Sequence, residues 1–237
     1  MEGTTINRFT CFKHKEFNMF QAPALQEQFS RYKTTILIGL LLIFYTVGIV
    51  GLTLENHRED FLSLSFFNLA LSFVLLLMGR HVHSFRLYAF VALAFVVGVG
   101  VELIGVHTGY LFGDYSYGES LGFKFYDVPL IIGINWGMLA IISASIAKRF
   151  QLNKYLQAIV AALFMLLLDI LIEPVAMVSD YWTWEGDVIP LFNFVCWFGV
   201  ALLLQFVYFG LNFAEKNKVA VALYCIQFVF FVILNIV

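Results

Sequence analysis

The sequence predicts an all-α protein, a polytopic membrane helical bundle with seven transmembrane helices. Hydrophobic residues make up 61% of the 237 residues and charged residues only 13%, whereas a soluble domain is typically about 25% charged. Seven apolar segments follow one another, each close to the roughly 20 residues that a helix needs to cross a bilayer. Charged or turn-rich connections separate them. In chain order the segments are 34–54, 62–79, 86–107, 127–147, 155–178, 190–212 and 219–237.

This division predicts two regions, a tail over residues 1–33 and a membrane domain over residues 34–237. The tail is polar and mixed in character, without the apolar core of a signal peptide. We therefore expect the tail to be cytoplasmic and the first apolar segment to act as its own insertion signal. The longest connection, residues 107–126, is rich in glycine and tyrosine, and we expect it to form a lid over the outer face.

The distribution of lysine and arginine predicts the orientation, because cytoplasmic connections carry an excess of these residues. With seven crossings, twelve of the 14 lysines and arginines fall on the side of the tail, and only Arg58 and Lys124 fall on the other side. The N-terminus is therefore expected in the cytoplasm and the C-terminus outside. The twelve are Arg8, Lys13, Lys15, Arg31, Lys33, Arg80, Arg86, Lys148, Arg149, Lys154, Lys216 and Lys218.

Composition and spacing argue against several classes of function. The net charge is −2 and no basic patch alternates with aromatic residues, so nucleic acid is not an expected partner. The three cysteines lack the spacing of a metal site, and neither a metal nor a cofactor is expected. The last apolar segment has no lysine for a Schiff base, and the predicted orientation is the reverse of that of retinal proteins. These two observations argue against a photoreceptor.

The fifth apolar segment carries two carboxyl groups, Asp169 and Glu173. Their i, i+4 spacing puts them on one face of a helix, about one turn apart. Pro174 removes a backbone N–H group and predicts a loosened turn beside Glu173. Because an ionisable group near the bilayer centre costs roughly 2.5–3.5 kcal/mol, packing alone does not explain two of them. They predict a buried functional site, with hydrogen bonding to other helices as the structural alternative.

Helix depth brings further polar groups to the same layer. At about 1.5 Å per residue, Glu102 of the third segment lies at a depth similar to that of Glu173, and Asp169 lies about one turn deeper. The predicted site therefore lies in the outer half of the bundle, where residues from four helices converge. Those expected in this layer are Glu102, Asn135, Trp136, Asp169, Glu173, Asn193 and Trp197.

Buried carboxyl groups without a metal or cofactor set suggest proton chemistry. Low dielectric favours the protonated form of a carboxyl group, adjacent carboxyls share one proton more readily than both ionise, and aromatic faces stabilise a cation. These parts suit protonation of an alkene, with capture of the carbocation by water or by another double bond. They suit a proton-coupled transporter equally, and composition does not separate the two.

Two ordered sequence blocks resemble the carotenoid hydratases, the membrane enzymes typified by gamma-carotene 1′-hydratase and bisanhydrobacterioruberin hydratase. Together the blocks cover roughly residues 98–200, and the flanking helices resemble the family only in hydropathy. The first block is Glu102–Gly122, ELIGVHTGYLFGDYSYGESLG, followed by Val128-Pro129-Leu130 and Trp136. The second contains Asp169, Glu173-Pro174, Ala176, Asp180-Tyr181-Trp182-Thr183-Trp184, Ile189-Pro190, Asn193 and Trp197.

The resemblance implies cofactor-independent addition of water to the terminal C1–C2 double bond of an acyclic ψ end group. C2 is protonated, a tertiary cation forms at C1, and water attacks it to give a tertiary alcohol. As a hypothesis, the Asp169/Glu173 pair supplies the proton and Glu102 holds or deprotonates the water. Trp136, Trp182 and Trp197 would line the cation, and Asn135 and Asn193 would orient the water. The remaining predicted substrate-binding residues are His107, Tyr115, Tyr117, Asp180 and Trp184.

The resemblance also implies partners and a location. The expected partners are a carotenoid such as gamma-carotene or lycopene, water and the lipid bilayer, with other enzymes of carotenoid biosynthesis as further candidates. The expected location is the inner membrane of a bacterial or archaeal cell, as a multi-pass protein.

Asp127 and Asp187 each precede a valine where the family pattern has glycine, which leaves the preference for end group and chain length open.

Two alternative functions stay open. A small integral-membrane carotenoid cyclase would protonate the same alkene but exclude water, and the three acids and two asparagines of the predicted site favour water. A proton-coupled transporter is the alternative from a different class. It predicts inverted repeats and broken helices in both halves of the chain, and the sequence has one proline-disturbed segment and no convincing repeat.

Overall fold

The structure is a computed structural model that describes residues 21–237. Residues 1–20, which make up most of the predicted tail, lie outside the described residues. The described chain is all-α, with short strands confined to the connections between helices. The α-helices are α1 Gln21–Thr53, α2 Arg58–Ser63, α3 Ser65–Met78, α4 Phe85–Thr108, α5 Ile131–Ala147, α6 Lys154–Val178, α7 Leu191–Gly210 and α8 Lys218–Leu234. The strands are β1 Tyr115–Tyr117, β2 Lys124–Phe125, β3 Val128–Pro129 and β4 Trp182–Trp184.

The apolar helices fit a multi-pass membrane bundle. Within the described residues, four helical stretches are long and apolar enough to cross a membrane: Arg31–Thr53 of α1, and the whole of α4, α6 and α7. The other three apolar helices, α3, α5 and α8, are shorter. The 14 residues of α3 rise about 21 Å, less than the roughly 30 Å of a hydrocarbon core. The number of crossings and the orientation stay predictions.

Helix α5 is the centre of the bundle. Nearly all of its side chains are buried, and it packs against α3, α4, α6, α7 and α8. Small residues along it let the neighbouring backbones approach closely. At Gly133, for example, an added Cβ would lie only 2.7 Å from the Phe95 ring of α4. The residues of α5 that face the site are therefore held on a rigid, buried element.

Helix ends are defined by local hydrogen bonds. Asn153 caps α6 by accepting from the backbone N–H groups of Tyr155 and Leu156, and Asn217 caps α8 in the same way. Such caps satisfy backbone donors that have no partner within the helix. Helix α4 ends at Gly109, whose φ of 64° is the left-handed conformation in which glycine commonly ends a helix. The chain then turns back over the end of the bundle.

Two antiparallel strand pairs cover that end of the bundle. Strand β1 lies in the connection that follows α4, and β4 lies in the connection between α6 and α7; they pair to form what we call the β1–β4 ribbon. Strands β2 and β3 form the second pair, next to the start of α5. The connection expected to act as a lid therefore pairs with a second connection. The ribbon register is Tyr115 with Trp184, Ser116 with Thr183 and Tyr117 with Trp182.

The two departures from the family's glycine pattern share a backbone conformation. Asp127 has φ of 65° and Asp187 has φ of 57°. This left-handed region is readily adopted by glycine and tolerated by aspartate. A glycine would therefore relieve strain at both positions, which explains why glycine is expected there. Both residues are exposed and lie in connections rather than in the buried bundle.

Candidate functional site

The β1–β4 ribbon turns one face toward the helices. Side chains alternate between the two faces of a strand, and four aromatic residues on the inner face alternate with exposed Ser116 and Thr183 on the outer face. The hydroxyl groups of Ser116 and Thr183 lie 3.4 Å apart. The inner face therefore presents a compact aromatic and polar surface to the ends of α4 and α6. Its four residues are Tyr115, Tyr117, Trp182 and Trp184.

Glu102 of α4 is buried and accepts three hydrogen bonds. The hydroxyl groups of Tyr115 and Tyr117 donate to its Oε2 atom at 2.5 Å and 2.8 Å. The indole N–H of Trp136, on α5, donates to Oε1 at 3.1 Å. Two of the three donors thus come from strand β1 and the third comes from a helix.

Glu173 of α6 is bound in the same manner by the opposite strand. The indole N–H groups of Trp182 and Trp184 donate to its Oε2 atom at 3.0 Å and 2.8 Å. The amide of Asn193, on α7, donates to Oε1 at 2.8 Å. All three partners of Glu173 can only donate here, whereas the tyrosine hydroxyls that bind Glu102 can donate or accept.

Trp136 and Trp197 form a stacked pair beside Glu102. Their ring centroids are 3.8 Å apart and their planes differ by 15°. Trp197 lines the cavity described below, and Trp136 lies behind it with its ring against Gly98 of α4. An added Cβ at Gly98 would lie 2.7 Å from the Trp136 ring. Glycine at this position therefore lets the tryptophan reach Glu102.

Burial fixes the protonation of the ribbon tyrosines. Removal from water raises the pKa of Tyr115 and of Tyr117 well above the ordinary value of a phenol, and the nearby Glu102 carboxyl raises both further. Both hydroxyl groups therefore keep their protons over the usual pH range. They remain available as donors to Glu102.

A small polar cavity lies between the two glutamates. Its volume is about 20 Å³, and Glu102, Glu173, the ribbon residues, Asn193 and Trp197 line it together with Phe112, Ile132 and Asn135. A cavity needs roughly 10–15 Å³ and two to four polar partners to hold a water molecule. We call it the polar cavity. It has the size and the polar groups for one water molecule between two carboxyl groups.

A larger apolar chamber adjoins the polar cavity. Its volume is about 260 Å³, and its walls come mainly from apolar side chains of α1, α2, α3 and α8. Ile132, Asn135 and Trp182 line both spaces. We call the larger space the apolar chamber. The arrangement puts a water-sized polar site with two carboxyl groups at the wall of a space suited to a hydrophobic ligand.

Asp169 has surroundings unlike those of the two glutamates. It is buried, and neither of its carboxyl oxygens has a hydrogen-bond partner within residues 21–237. It lines neither the polar cavity nor the apolar chamber. The i, i+4 spacing from Glu173 holds within the continuous helix α6, so Asp169 lies one turn deeper behind that residue.

His107, in the last turn of α4, and Asp180, in the connection after α6, lie outside both spaces. His107 is exposed, and its Nε2 atom lies 3.1 Å from the carbonyl oxygen of Tyr126. Asp180 is exposed with φ of 51°. Its backbone lies close to Gly118, because a Cβ added to Gly118 would be 2.0 Å from the backbone carbonyl oxygen of Asp180. Both residues have contacts that suit them to holding the connections in place.

Nine of the thirteen predicted site residues meet at the polar cavity, and Trp136 lies one contact behind it. Asp169, His107 and Asp180 are placed apart from it. The nine are Glu102, Tyr115, Tyr117, Asn135, Glu173, Trp182, Trp184, Asn193 and Trp197.

The prediction from sequence missed the apolar chamber. Its polar wall residues gave the only signal, because asparagine, glutamine and tyrosine are unusual in apolar segments. The Gln227 amide donates to the Tyr45 hydroxyl at 2.9 Å. The side-chain carbonyl oxygens of Asn68 and Gln227 have no hydrogen-bond partner in the described part of the chain.

Comparison with known proteins gives one match. The model of a family described as "carotenoid biosynthesis protein" matches residues 61–237, which is well over half of the chain and includes every residue of the site. Neither a curated protein nor a solved structure matches the chain.

Proposed function

We propose that this chain, which belongs to the carotenoid biosynthesis protein family, is a carotenoid hydratase. The proposed reaction adds water across the terminal C1–C2 double bond of an acyclic ψ end group and gives a tertiary alcohol. Family membership supports a role in carotenoid biosynthesis. The apolar helices of the described chain support a hydrophobic substrate that is reached from a bilayer.

One observation carries the choice of hydration. A polar cavity of about 20 Å³, bounded by two glutamates, shares Ile132, Asn135 and Trp182 with an apolar chamber of about 260 Å³. Hydration needs a hydrocarbon end, one water molecule and acid–base groups within reach of each other. A cyclase would need the cation to be kept away from water. The polar groups around the small cavity therefore favour hydration over cyclisation.

The proposed acid is the Asp169/Glu173 pair. Glu173 faces the polar cavity, and its Oε1 atom accepts one hydrogen bond in the described structure, which leaves a site for a proton. Asp169 lies one turn behind it without a hydrogen-bond partner among residues 21–237, and a buried carboxyl group without partners is costly to ionise. Two adjacent charges are disfavoured in such a pair, so with Asp169 protonated only Glu173 ionises during the reaction. Glu173 transfers its proton to C2 of the alkene, and the positive charge develops on C1.

The proposed base is Glu102, on the other wall of the polar cavity. Water in the cavity attacks C1, and Glu102 takes the proton that the water loses as the new C–O bond forms. Asn135 and Asn193 orient the water. The faces of Trp182 and Trp197 flank the cation, and Trp136 supports Trp197 from behind.

The proton balance closes within the same cavity. After one turnover the proton of Glu173 is on C2 of the product, Glu173 is ionised, and Glu102 carries the proton that the water has lost. The next water molecule to enter the polar cavity contacts both carboxyl groups and relays that proton from Glu102 to Glu173. No cofactor or external acid is consumed, and the net reaction is the addition of one water molecule to one double bond.

The test is to express the full chain in a bacterium that produces lycopene or gamma-carotene and to analyse the pigments by chromatography with mass detection. A new pigment heavier by the mass of one water molecule is the expected result. An isomer of unchanged mass with altered absorption would instead indicate a cyclase. Unchanged pigments with both substrates would overturn the proposal and make transport the next function to test.

A further inference from the structure

The walls of the apolar chamber differ in exposure from one side to the other. Leu121 is 2% exposed and Phe230 is 7% exposed, whereas Phe44 is 44% and Phe67 is 64% exposed. Val47 and Leu64, which also line the chamber, are exposed as well. All four exposed wall residues belong either to α1 or to the corner between α2 and α3.

This pattern locates an opening in the side of the bundle. The chamber runs from a buried wall at Leu121 and Ile132 to an exposed rim between α1 and the corner joining α2 and α3. The rim residues are large and apolar, and α1 contains a stretch long and apolar enough to cross a membrane. A rim of this composition suits contact with hydrocarbon rather than with water.

The chamber is too small to hold a whole polyene. A cavity of 150 Å³ lined by apolar residues binds benzene, so about 260 Å³ has room for on the order of ten carbons of hydrocarbon. Typical pockets that enclose a drug-sized ligand span roughly 300–1,000 Å³. A full-length carotenoid has about 40 carbons, several times what a chamber of this volume can hold. Only the end of such a chain fits inside.

We propose that the apolar chamber binds the terminal segment of an acyclic isoprenoid polyene, which enters sideways between α1 and the α2–α3 corner while the rest of the chain stays outside the rim. This inference rests on the proposed function for the identity of its ligand. The chain end reaches the wall formed by Ile132, Asn135 and Trp182, where the chamber meets the polar cavity. The site therefore selects linear end groups and tolerates variation in the distant part of the polyene.

Helix α1 offers a matched pair of glycines for the test. Gly48 lines the chamber, and an added Cβ there would lie 3.3 Å from the Phe230 ring. Gly39 is on the same helix, away from the chamber, and an added Cβ there meets no packed neighbour within 4 Å in the described part of the chain. Phenylalanine at position 48 would project into the chamber, and phenylalanine at position 39 would not.

The experiment compares the unchanged protein, Gly48→Phe and Gly39→Phe, each purified as the full chain from cells that make an acyclic carotenoid. Bound pigment, whether hydrated or not, is counted per protein by absorbance and mass detection. Gly48→Phe should lose about tenfold in bound pigment, which corresponds to roughly 1.4 kcal/mol, and Gly39→Phe should match the unchanged protein. Equal amounts of bound pigment in all three proteins would overturn the proposal. This is also the result expected if the chamber holds only lipid.

A second pair guards against misfolding of Gly48→Phe. Val47 lines the rim and Val50 lies on the same helix outside the chamber, and the two are 48% and 53% exposed. A tryptophan at either exposed position should leave folding intact, which thermal unfolding checks. Val47→Trp should bind less pigment than Val50→Trp, and equal binding would contradict the proposal. Bound pigment without any hydrated product would support polyene binding in the apolar chamber and would overturn the proposed hydratase activity.

Discussion

Tyr117 and Trp182 face each other across the β1–β4 ribbon, with ring centroids 6.0 Å apart, yet they bind different carboxyl groups. The Tyr117 hydroxyl donates to Glu102 and the Trp182 indole donates to Glu173. The neighbouring pair of Tyr115 and Trp184 repeats this division. One ribbon therefore positions both glutamates relative to each other.

The first prediction concerns Glu173. Glu173→Gln keeps the size of the side chain but removes the transferable proton, so hydration should fall by about a hundredfold to ten-thousandfold. Product yield in polyene-producing cells measures this, and a detergent thermal-unfolding curve shows that the variant is folded. Glu185→Gln, at an exposed acid just after β4, is the matched control and should keep full yield. Product at the unchanged level from Glu173→Gln would refute its role as the acid.

The second prediction separates stability from turnover at Asp169. Because this buried carboxyl group has no hydrogen-bond partner in the described structure, Asp169→Leu should stabilise the protein by about 1–3 kcal/mol. The same change should abolish turnover, since it breaks the proposed pair with Glu173. Asp169→Asn should also abolish turnover in a folded protein. Thermal unfolding and product yield give the two readouts, and full activity in Asp169→Asn would remove Asp169 from the acid pair.

The third prediction is a dependence of stability on pH. The folded-state pKa of Tyr115 and of Tyr117 is raised by burial, whereas an unfolded tyrosine titrates near pH ~10. The unfolded state therefore loses protons first as pH rises, and the contribution of these hydroxyls, complete below about pH 10, should decline above it. Thermal unfolding between about pH 8 and 11 measures the slope. Tyr117→Phe should make the slope shallower, and an identical slope would contradict the assignment.

The fourth prediction tests how Trp136 reaches Glu102. Gly98→Ala should displace the Trp136 ring, because the new Cβ would lie 2.7 Å from it, and turnover should fall along with stability. Gly100 is on the same helix, and an added Cβ there meets no packed neighbour within 4 Å among the described residues. Gly100→Ala should therefore be neutral or stabilise by up to about 1 kcal/mol. The two variants are compared by product yield and by unfolding temperature. Equal behaviour would show that the close packing at Gly98 does not support the site.

The fifth prediction is the orientation. Seven crossings with a cytoplasmic N-terminus put the connection after α5 inside and the connection after α6 outside. Alkaline phosphatase folds with disulfides only in an oxidising compartment, so a fusion after Asp187 should be active and a fusion after Phe150 inactive. The reverse pattern would invert the orientation, and activity in both would change the number of crossings.

Depth along a helix follows from a fixed rise per residue, so the sequence predicts which residues of different helices share a layer. Glu102 and Glu173 do line one cavity, with Asn193 and Trp197 beside them. Asp169, expected to act there directly, lies behind the cavity wall. Spacing along a helix predicts which face of the helix a residue lies on. It does not predict whether the side chain of that residue reaches a cavity beside that face.

Two features were beyond the reach of the sequence. The pairing of β1 with β4 joins three-residue strands that are far apart in the chain, and strands this short carry no usable periodicity. The apolar chamber is formed mainly by side chains that also suit plain helix packing, and its few polar wall residues do not by themselves indicate a cavity. Its existence depends on how far α1 and α3 are separated, which no local pattern encodes.

The division of donors between the two ribbon strands has a mechanical consequence. Six hydrogen bonds to the two glutamates come from the described residues; four of them come from the ribbon, and those from Trp136 and Asn193 come from helices. Any displacement of the ribbon would therefore strip both acids of most of their donors simultaneously. The two carboxyl groups are thereby coupled through the ribbon, although they belong to different helices.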